Sequence, residues 1–213
     1  LGAMDEWHGI HHLQRLRIKT LSVAAYGTAG GMYNWARRRS FIVTDEITNS
    51  KSLEEFCSEW KTHPPTSPSE IRFKRWLIEQ VAVIARKMHK SGANHRDFYL
   101  GHFLLQPGYR GGHLSADASH LFVIDLHRMQ LRRRTPTRWQ VKDIAGLHYS
   151  SLNLGLTRND LLRFIRTYRG ETTLHQSLGK SPNFWRGIQS LRNRLFWWRV
   201  ESWARNLHRA EQR

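Results

Sequence analysis

The segment Glu70–Lys90 constrains the fold more than any other stretch of this chain. Leu77, Val81, Ile84 and Met88 recur there at steps of four, three and four, the spacing that places side chains on one face of a helix. Ser69 precedes the segment as a candidate N-cap. Gly92 follows it as the left-handed residue that helix C-termini favour. A long helix buried along one face is a rigid mount. It delivers the stretch Asn94 to Leu105, read N-H-R-D-F-Y-L-G-H-F-L-L, with a polar cluster of His95, Arg96 and Asp97 and then a short apolar strand, Phe103-Leu104-Leu105.

A second apolar run, Leu121-Phe122-Val123-Ile124, ends in Asp125. Two carboxylates, Asp97 and Asp125, are thus expected at the edges of neighbouring short strands, facing one cleft. Phosphoryl transfer needs that arrangement, because its catalysis is mostly positioning and neutralisation of phosphate charge by magnesium.

The rest of the chain reads as alternating short elements. A helix is expected over residues 3–16, strands over 20–26 and 41–44, and a short helix over 52–60 capped by Ser52. The Gly30-Gly31 pair and the Arg37-Arg38-Arg39 run mark a loop between the strands. Residues 106–120, rich in Gly and Ser, read as a lengthened turn. Helices are expected over 139–151, from the capping pair Thr157 and Asp160 through Tyr168, and over about 182–210. The last carries Trp185, Leu191, Leu195, Trp198 and Trp203 among arginines, which suits either a membrane interface or aromatic packing on the core.

Composition narrows the partners. The formal charge is +17 with a pI near 11.0, a field that favours polyanions: nucleic acid, an anionic membrane surface or a phosphorylated acceptor. No ribonucleoprotein signature, zinc pattern or helix-turn-helix spacing accompanies it, so nucleic acid is not the expected partner. No apolar run approaches the ~18 residues of a spanning helix, and no signal peptide is visible. The single cysteine, Cys57, reads as a small buried hydrophobe and points to a reducing, cytoplasmic compartment. His8, His11 and His12 have helical spacing that could suit a metal, but a half-exposed helix face accounts for them better.

His-Arg-Asp between a helix and a strand is the context of the protein-kinase catalytic loop. His102 stands where that loop carries a metal-binding Asn, and Asp125 where the Asp of D-F-G would be, followed by Leu126-His127. With N-H-R-D-F-Y at 94–99, H-F-L-L at 102–105, V-I-D-L-H-R at 123–128, R-R-R-T-P-x-R-W-x-V-K-D at 132–143, S-x-N-x-G-L-T-R-x-D from Ser151 to Asp160 and D-E-W from Asp5 to Trp7, the chain closely resembles the bacterial lipopolysaccharide core heptose kinases, which have a protein-kinase-like fold.

The resemblance implies an α+β, protein-kinase-like fold: a partial N-lobe over residues 1–48 (helix, two strands and hinge) and a mostly helical C-lobe over 49–213. The glycine-rich loop and lysine strand of that fold would precede Glu6, and only five residues do. The implied activity is ATP-dependent phosphorylation of a heptose hydroxyl of the lipopolysaccharide inner core. Asp97 would orient or deprotonate the hydroxyl. Asp125 would hold Mg2+ against ATP, with His102 as second ligand or loop support. Glu6 would pair with the phosphate-anchoring lysine, and Thr44, Asp45, Glu46 and Ile47 would form the adenine hinge. Arg96, Arg128, Arg132, Arg133 and Arg134 are candidates for the lipid A-core acceptor. The implied location is cytoplasmic, at the inner face of the membrane. Three other readings compete: the same fold acting on another core sugar such as 3-deoxy-manno-octulosonic acid, a pseudokinase scaffold, and, more distantly, a nucleic-acid binder.

Overall fold

The computed structural model describes residues 2–30, 39–170 and 183–211, with side chains of the last helix from residue 194 to 210. Gly31, Arg37 and Arg38, and the side chains of Trp185 and Leu191, lie outside the described residues. The helices are α1 (Ala3–Arg15), α2 (Leu53–Phe56), α3 (Pro68–Lys90), α4 (Thr137–Ser151), α5 (Arg158–Arg169) and α6 (Asn183–Glu211). The strands are β1 (Lys19–Thr20), β2 (Val23–Ala29), β3 (Arg39–Thr44), β4 (Lys51–Ser52), β5 (Ala93–Asn94), β6 (Phe103–Gln106), β7 (Tyr109–Arg110), β8 (His113–Leu114), β9 (His120–Val123) and β10 (Gln130–Leu131).

Helix α3 forms where its periodicity predicts, and Leu77, Val81, Ile84 and Met88 are all buried. Its cap differs from expectation. Ser67, not Ser69, accepts the Glu70 N–H, while the Glu70 carboxylate accepts the Ser67 N–H, a full capping box with Pro68 at the first helical position. Proline has no N–H to satisfy there, so the helix starts two residues earlier than a cap at Ser69 allows. Gly92 closes the helix at φ +89, and a Cβ on it would lie 1.8 Å from the Arg132 carbonyl oxygen. Only glycine admits the Arg132 N–H to the Gly92 carbonyl at 3.0 Å. That contact seats β10 against β5, with Gln130 opposite Asn94.

Four strands form a sheet in the order β1-β9-β6-β4. β6 and β9 pair antiparallel, placing Phe103 opposite Val123 and Leu105 opposite Leu121, and all four point into the core. β1 joins β9 in parallel, so the strand expected over 20–26 is divided: Lys19–Thr20 enters this sheet and Val23–Ala29 pairs with β3 in a separate two-stranded ribbon. Residues 106–120 contain a small hairpin, β7 with β8, and not a bare turn. Helix α2 is shorter than expected, ending at Phe56 before a 3-10 turn over Ser58–Lys61.

One continuous apolar core joins Ile10, Leu13 and Ile18 to Phe98, Phe103, Val123, Leu126 and Ile144. Burying each such side chain is worth roughly 1.5–3 kcal/mol, and these residues surround the catalytic-type loop from below. α4 packs on α6, and α3 packs on α5. Cys57 is buried, which pushes its thiol up to about 12. In α6, Phe196, Trp197, Val200 and Ala204 face the core while Leu195, Trp198 and Trp203 are exposed. Among the described residues no helix is long and apolar enough to cross a membrane.

Candidate active site

The loop after β5 and the end of β9 bring Asp97, His102 and Asp125 together. His102 ties the other two. Its Nδ1 lies 2.7 Å from the Asp97 carbonyl oxygen, and its Nε2 lies 3.4 Å from Asp125 Oδ2. A carbonyl only accepts, so Nδ1 carries the proton. In the neutral ring Nε2 then offers a lone pair toward a carboxylate that is itself an acceptor. Two facing acceptors are held together by a proton or by a cation. The donor set fits magnesium in one respect, since this ion takes one or two protein carboxylates alongside phosphate oxygens. Imidazole nitrogen is its poorer ligand.

Asp125 adopts a left-handed backbone, φ 61 and ψ 56, which a non-glycine residue holds only where its surroundings over-determine it. Its Oδ1 accepts from His127 Nδ1. The Ile124 N–H donates to the His102 carbonyl at 3.0 Å, locking the two loops edge to edge. Glu6 on α1 faces this pair. Burial raises its carboxyl above the ordinary range, the Asp125 charge raises it further, and His127 opposes both.

Asp97 is held through its carboxylate by Arg128 and through its backbone carbonyl by His102. Arg128 donates to its Oδ1 at 2.8 Å, so the arginine expected to meet acceptor is engaged with the candidate base. His95 lies beneath, fully buried; its Nε2 donates to the Ile124 carbonyl at 3.0 Å, and its ring stacks on His102 at 5.9 Å between centroids. Burial holds the His95 imidazole below its ordinary range despite the nearby Asp143 carboxylate. It shapes the loop, as a neutral ring.

The residue that fixes this loop is Asp143 on α4, which sequence reading passed over although it ends the W-x-V-K-D pattern. Its carboxylate accepts the His95 N–H at 2.8 Å and the Arg96 N–H at 2.9 Å, and it faces His89 Nε2 at 3.2 Å. The Tyr168 hydroxyl sits 2.8 Å from the other ring nitrogen of His89. Burial, then the Asp143 charge, pushes the Tyr168 hydroxyl upward. Arg96 is itself left-handed, φ 78, so the clamp holds a strained residue immediately before Asp97.

The other candidates spread around this centre. Thr44 and Ile47 are half-buried and Asp45 and Glu46 exposed where β3 leaves the ribbon for β4; the Asp45 N–H donates to the Ser22 carbonyl, and Gln106 reaches the Thr48 carbonyl. Arg132 hydrogen-bonds Asn94 and Gln130, whereas Arg133 and Arg134 are exposed. His8 and His11 pack on Trp7, and His12 bonds Ser91. Among the described residues no group of three or more His, Cys, Asp or Glu is placed to hold a metal.

Residues 1–168 match the model of the Lipopolysaccharide kinase (Kdo/WaaP) family. The lipopolysaccharide core heptose(I) kinase WaaP of Escherichia coli K12 is 45% identical over 170 residues, covering 80% of this chain and 61% of the relative. The enzyme of that name from Pseudomonas aeruginosa PAO1 is 46% identical over 168 residues, 79% of this chain and 59% of the relative. The chain thus spans about three fifths of the length of the curated relatives it matches. A solved structure, WaaP in complex with acyl carrier protein, superposes with a TM-score of 0.71 at 41% identity, covering 94% of this chain and 77% of that one. The fold is the α+β, protein-kinase-like fold of that neighbour, and the chain belongs to the lipopolysaccharide kinase (Kdo/WaaP) family.

Proposed function

We propose that the protein to which this chain belongs transfers the terminal phosphate of ATP to a heptose hydroxyl of the lipopolysaccharide inner core. The observation that carries the reading is the Asp97–His102–Asp125 array, in which one imidazole joins the backbone carbonyl of Asp97 to the carboxylate of Asp125. Asp97 orients the sugar hydroxyl and takes its proton, and Arg128 keeps the Asp97 carboxylate turned toward the cleft. Asp125 and His102 Nε2 are the groups that would hold magnesium, which neutralises phosphate charge when bound. Thr44 to Ile47 supply the adenine-contacting connection, and Glu6 stands where an acid pairs with a phosphate-anchoring lysine. The names of the relatives support the heptose acceptor over other core sugars.

A membrane-bound acceptor suits the outer face of α6, where exposed Leu195, Trp198 and Trp203 alternate with Arg194, Arg199 and Arg205. This composition seats a helix at an anionic interface, here the cytoplasmic face of the inner membrane. A carrier-protein partner is favoured by a second observation. A cavity of about 610 Å³, lined mostly by apolar side chains that include Leu77, Val81, Leu147 and Trp197, lies among α3, α4, α5 and α6. It has room for an acyl chain of the kind an acyl carrier protein bears, the partner in the solved WaaP complex.

The test is phosphate transfer by the full-length protein to dephosphorylated lipopolysaccharide. Asp97→Ala and Asp125→Ala should each lower turnover by about 10³-fold, in the range of lost acid–base and electrostatic contributions. Equal incorporation by all three proteins overturns the assignment.

A further inference from the structure

Trp139, in the first turn of α4, is ringed by cations. The Arg96, Arg132 and Arg138 guanidinium carbons lie 5.6, 5.7 and 5.4 Å from its ring centroid, and the Lys142 ammonium 5.5 Å. An indole attracts a cation to each of its two faces, but four like charges around one ring repel one another. Among the described residues no carboxylate forms an ion pair with any of the four. The partners of Arg132, the Asn94 and Gln130 side chains, are neutral. Asp143, the acid nearest to Trp139 in sequence, spends its oxygens on the His95 and Arg96 N–H groups and on His89.

Two further features add positive potential. Helix α4 begins after Pro136 with no side-chain cap, so no side chain covers the positive end of its dipole beside Arg138. Among the described residues, Arg96 Nε and Trp139 Nε1 are both buried donors without a hydrogen-bond partner. Surplus charge, spare donors and an open helix start together suit an oxyanion.

We propose that Arg96, Arg132, Arg138 and Lys142, arranged on Trp139, form an anion subsite. It holds a phosphate or carboxylate group of the acceptor beside the hydroxyl that Asp97 receives. The placement follows from the chain: Arg96 precedes Asp97, and adjacent Cα atoms are ~3.8 Å apart. The Asp143 clamp on the Arg96 N–H sets both residues at once. The subsite rests on the kinase reading for its acceptor, and it adds Arg138, Lys142 and Trp139 to the residues that recognise it. Arg133 and Arg134, exposed and absent from the ring around Trp139, are outside the subsite.

Binding, measured apart from turnover, separates the two claims. Core oligosaccharide with its acidic groups intact is titrated into the full-length protein, beside the same material dephosphorylated, carboxyl-reduced, or both. Wild type should bind the fully neutralised probe about ten-fold more weakly, and the single treatments show which oxyanion is held. Arg138→Gln/Lys142→Gln, altering an exposed and a half-exposed side chain, should weaken the intact probe by a similar factor and the neutralised probe by under about two-fold. In turnover the same variant should raise KM for acceptor with kcat and KM for ATP near wild type. Equal weakening on intact and neutralised probes, or none on either, overturns the subsite. Normal discrimination in binding with no phosphate transfer by wild type would instead overturn the kinase reading and leave the subsite standing.

Discussion

Two carboxylates in helices, Asp143 and Asp160, are nearly inaccessible to solvent, yet they serve opposite ends. Asp160 is satisfied at home: it closes a capping box with the Thr157 N–H and hydroxyl, and adds one distant partner, the Lys74 ammonium at 2.9 Å. It fastens α5 to α3. Asp143 has no local partner of that kind. Its contacts reach His95, Arg96 and His89, all about fifty residues away. One acid stabilises a helix start and its packing, and the other fixes the pose of a catalytic-type loop. Burial alone does not distinguish them; what they hold does, a helix start and a lysine for one and the backbone N–H groups of a distant loop for the other.

The sharpest way to break this contrast is Asp143→Ala. It strands the His95 and Arg96 N–H groups in the interior, and the loss of a buried acceptor with several donors should cost about 3–5 kcal/mol. Activity should fall by about 10²-fold beyond any loss of folded protein, since misplacement of Asp97 is costly at the reacting atoms. Denaturant midpoints and turnover of the folded fraction measure the two separately. Asp143→Asn, which keeps one oxygen, should fall between. If Asp143→Ala turns over normally once folded, the loop holds its own pose and the contrast is wrong.

Lys74→Met should show the converse. Lys74 and Asp160 keep only 11% and 12% of their side chains exposed, so stranding the carboxylate should cost about 3 kcal/mol, the low end for a broken buried pair. Turnover of the folded protein should stay within about two-fold. Acid behaviour checks the same pair. Burial raises the Asp160 carboxyl, but the Lys74 and Thr157 bonds outweigh it and leave it below its ordinary 3.8. A carboxylate lowered on folding adds stability that is complete above pH 3.8 and is lost as pH falls through its folded value. Asp160→Asn should therefore be less stable than wild type at pH 6, with the gap closing at strongly acid pH.

These two acids also mark the limits of reading the chain unaided. Thr157 and Asp160 are three residues apart, so the capping box was legible as a pattern, as were the α3 stripe and the strand-ending Asp125. His102 was placed by its spacing from Asp97, though not the bridge its two nitrogens make. Asp143 carried no local signal, because every group it holds lies on another element. The four-cation ring on Trp139 drew its members from residues 96, 132, 138 and 142, of which Arg96 and Arg132 stood out in the sequence and Arg138 and Lys142 did not. The cap at Ser67 was missed for a smaller reason: Pro68 displaced the helix start, and two serines competed for one role.

The histidines give the smallest effect and the one that separates the two regions by pH. His12, His95 and His148 are each held below their ordinary 6.5, burial being the largest cause in every case. The unfolded chain regains 6.5, so below that pH it binds protons that the folded state refuses. Stability is full above about pH 7 and declines as pH falls from 6.5 toward the folded values, with each group contributing a slope of up to about 1.4 kcal/mol per pH unit. His148→Gln should remove its share of that slope between pH 7 and 5.5. His95 should resist longest: its Nε2 proton is committed to the Ile124 carbonyl, and an added proton must go to Nδ1, which is buried without an acceptor among the described residues. Its ring resonances should therefore stay in the neutral position until the chain unfolds. An imidazolium signal from His95 in folded protein at pH 5.5 would show that the loop yields before the helices do, reversing the order of rigidity drawn from Asp143 and Asp160.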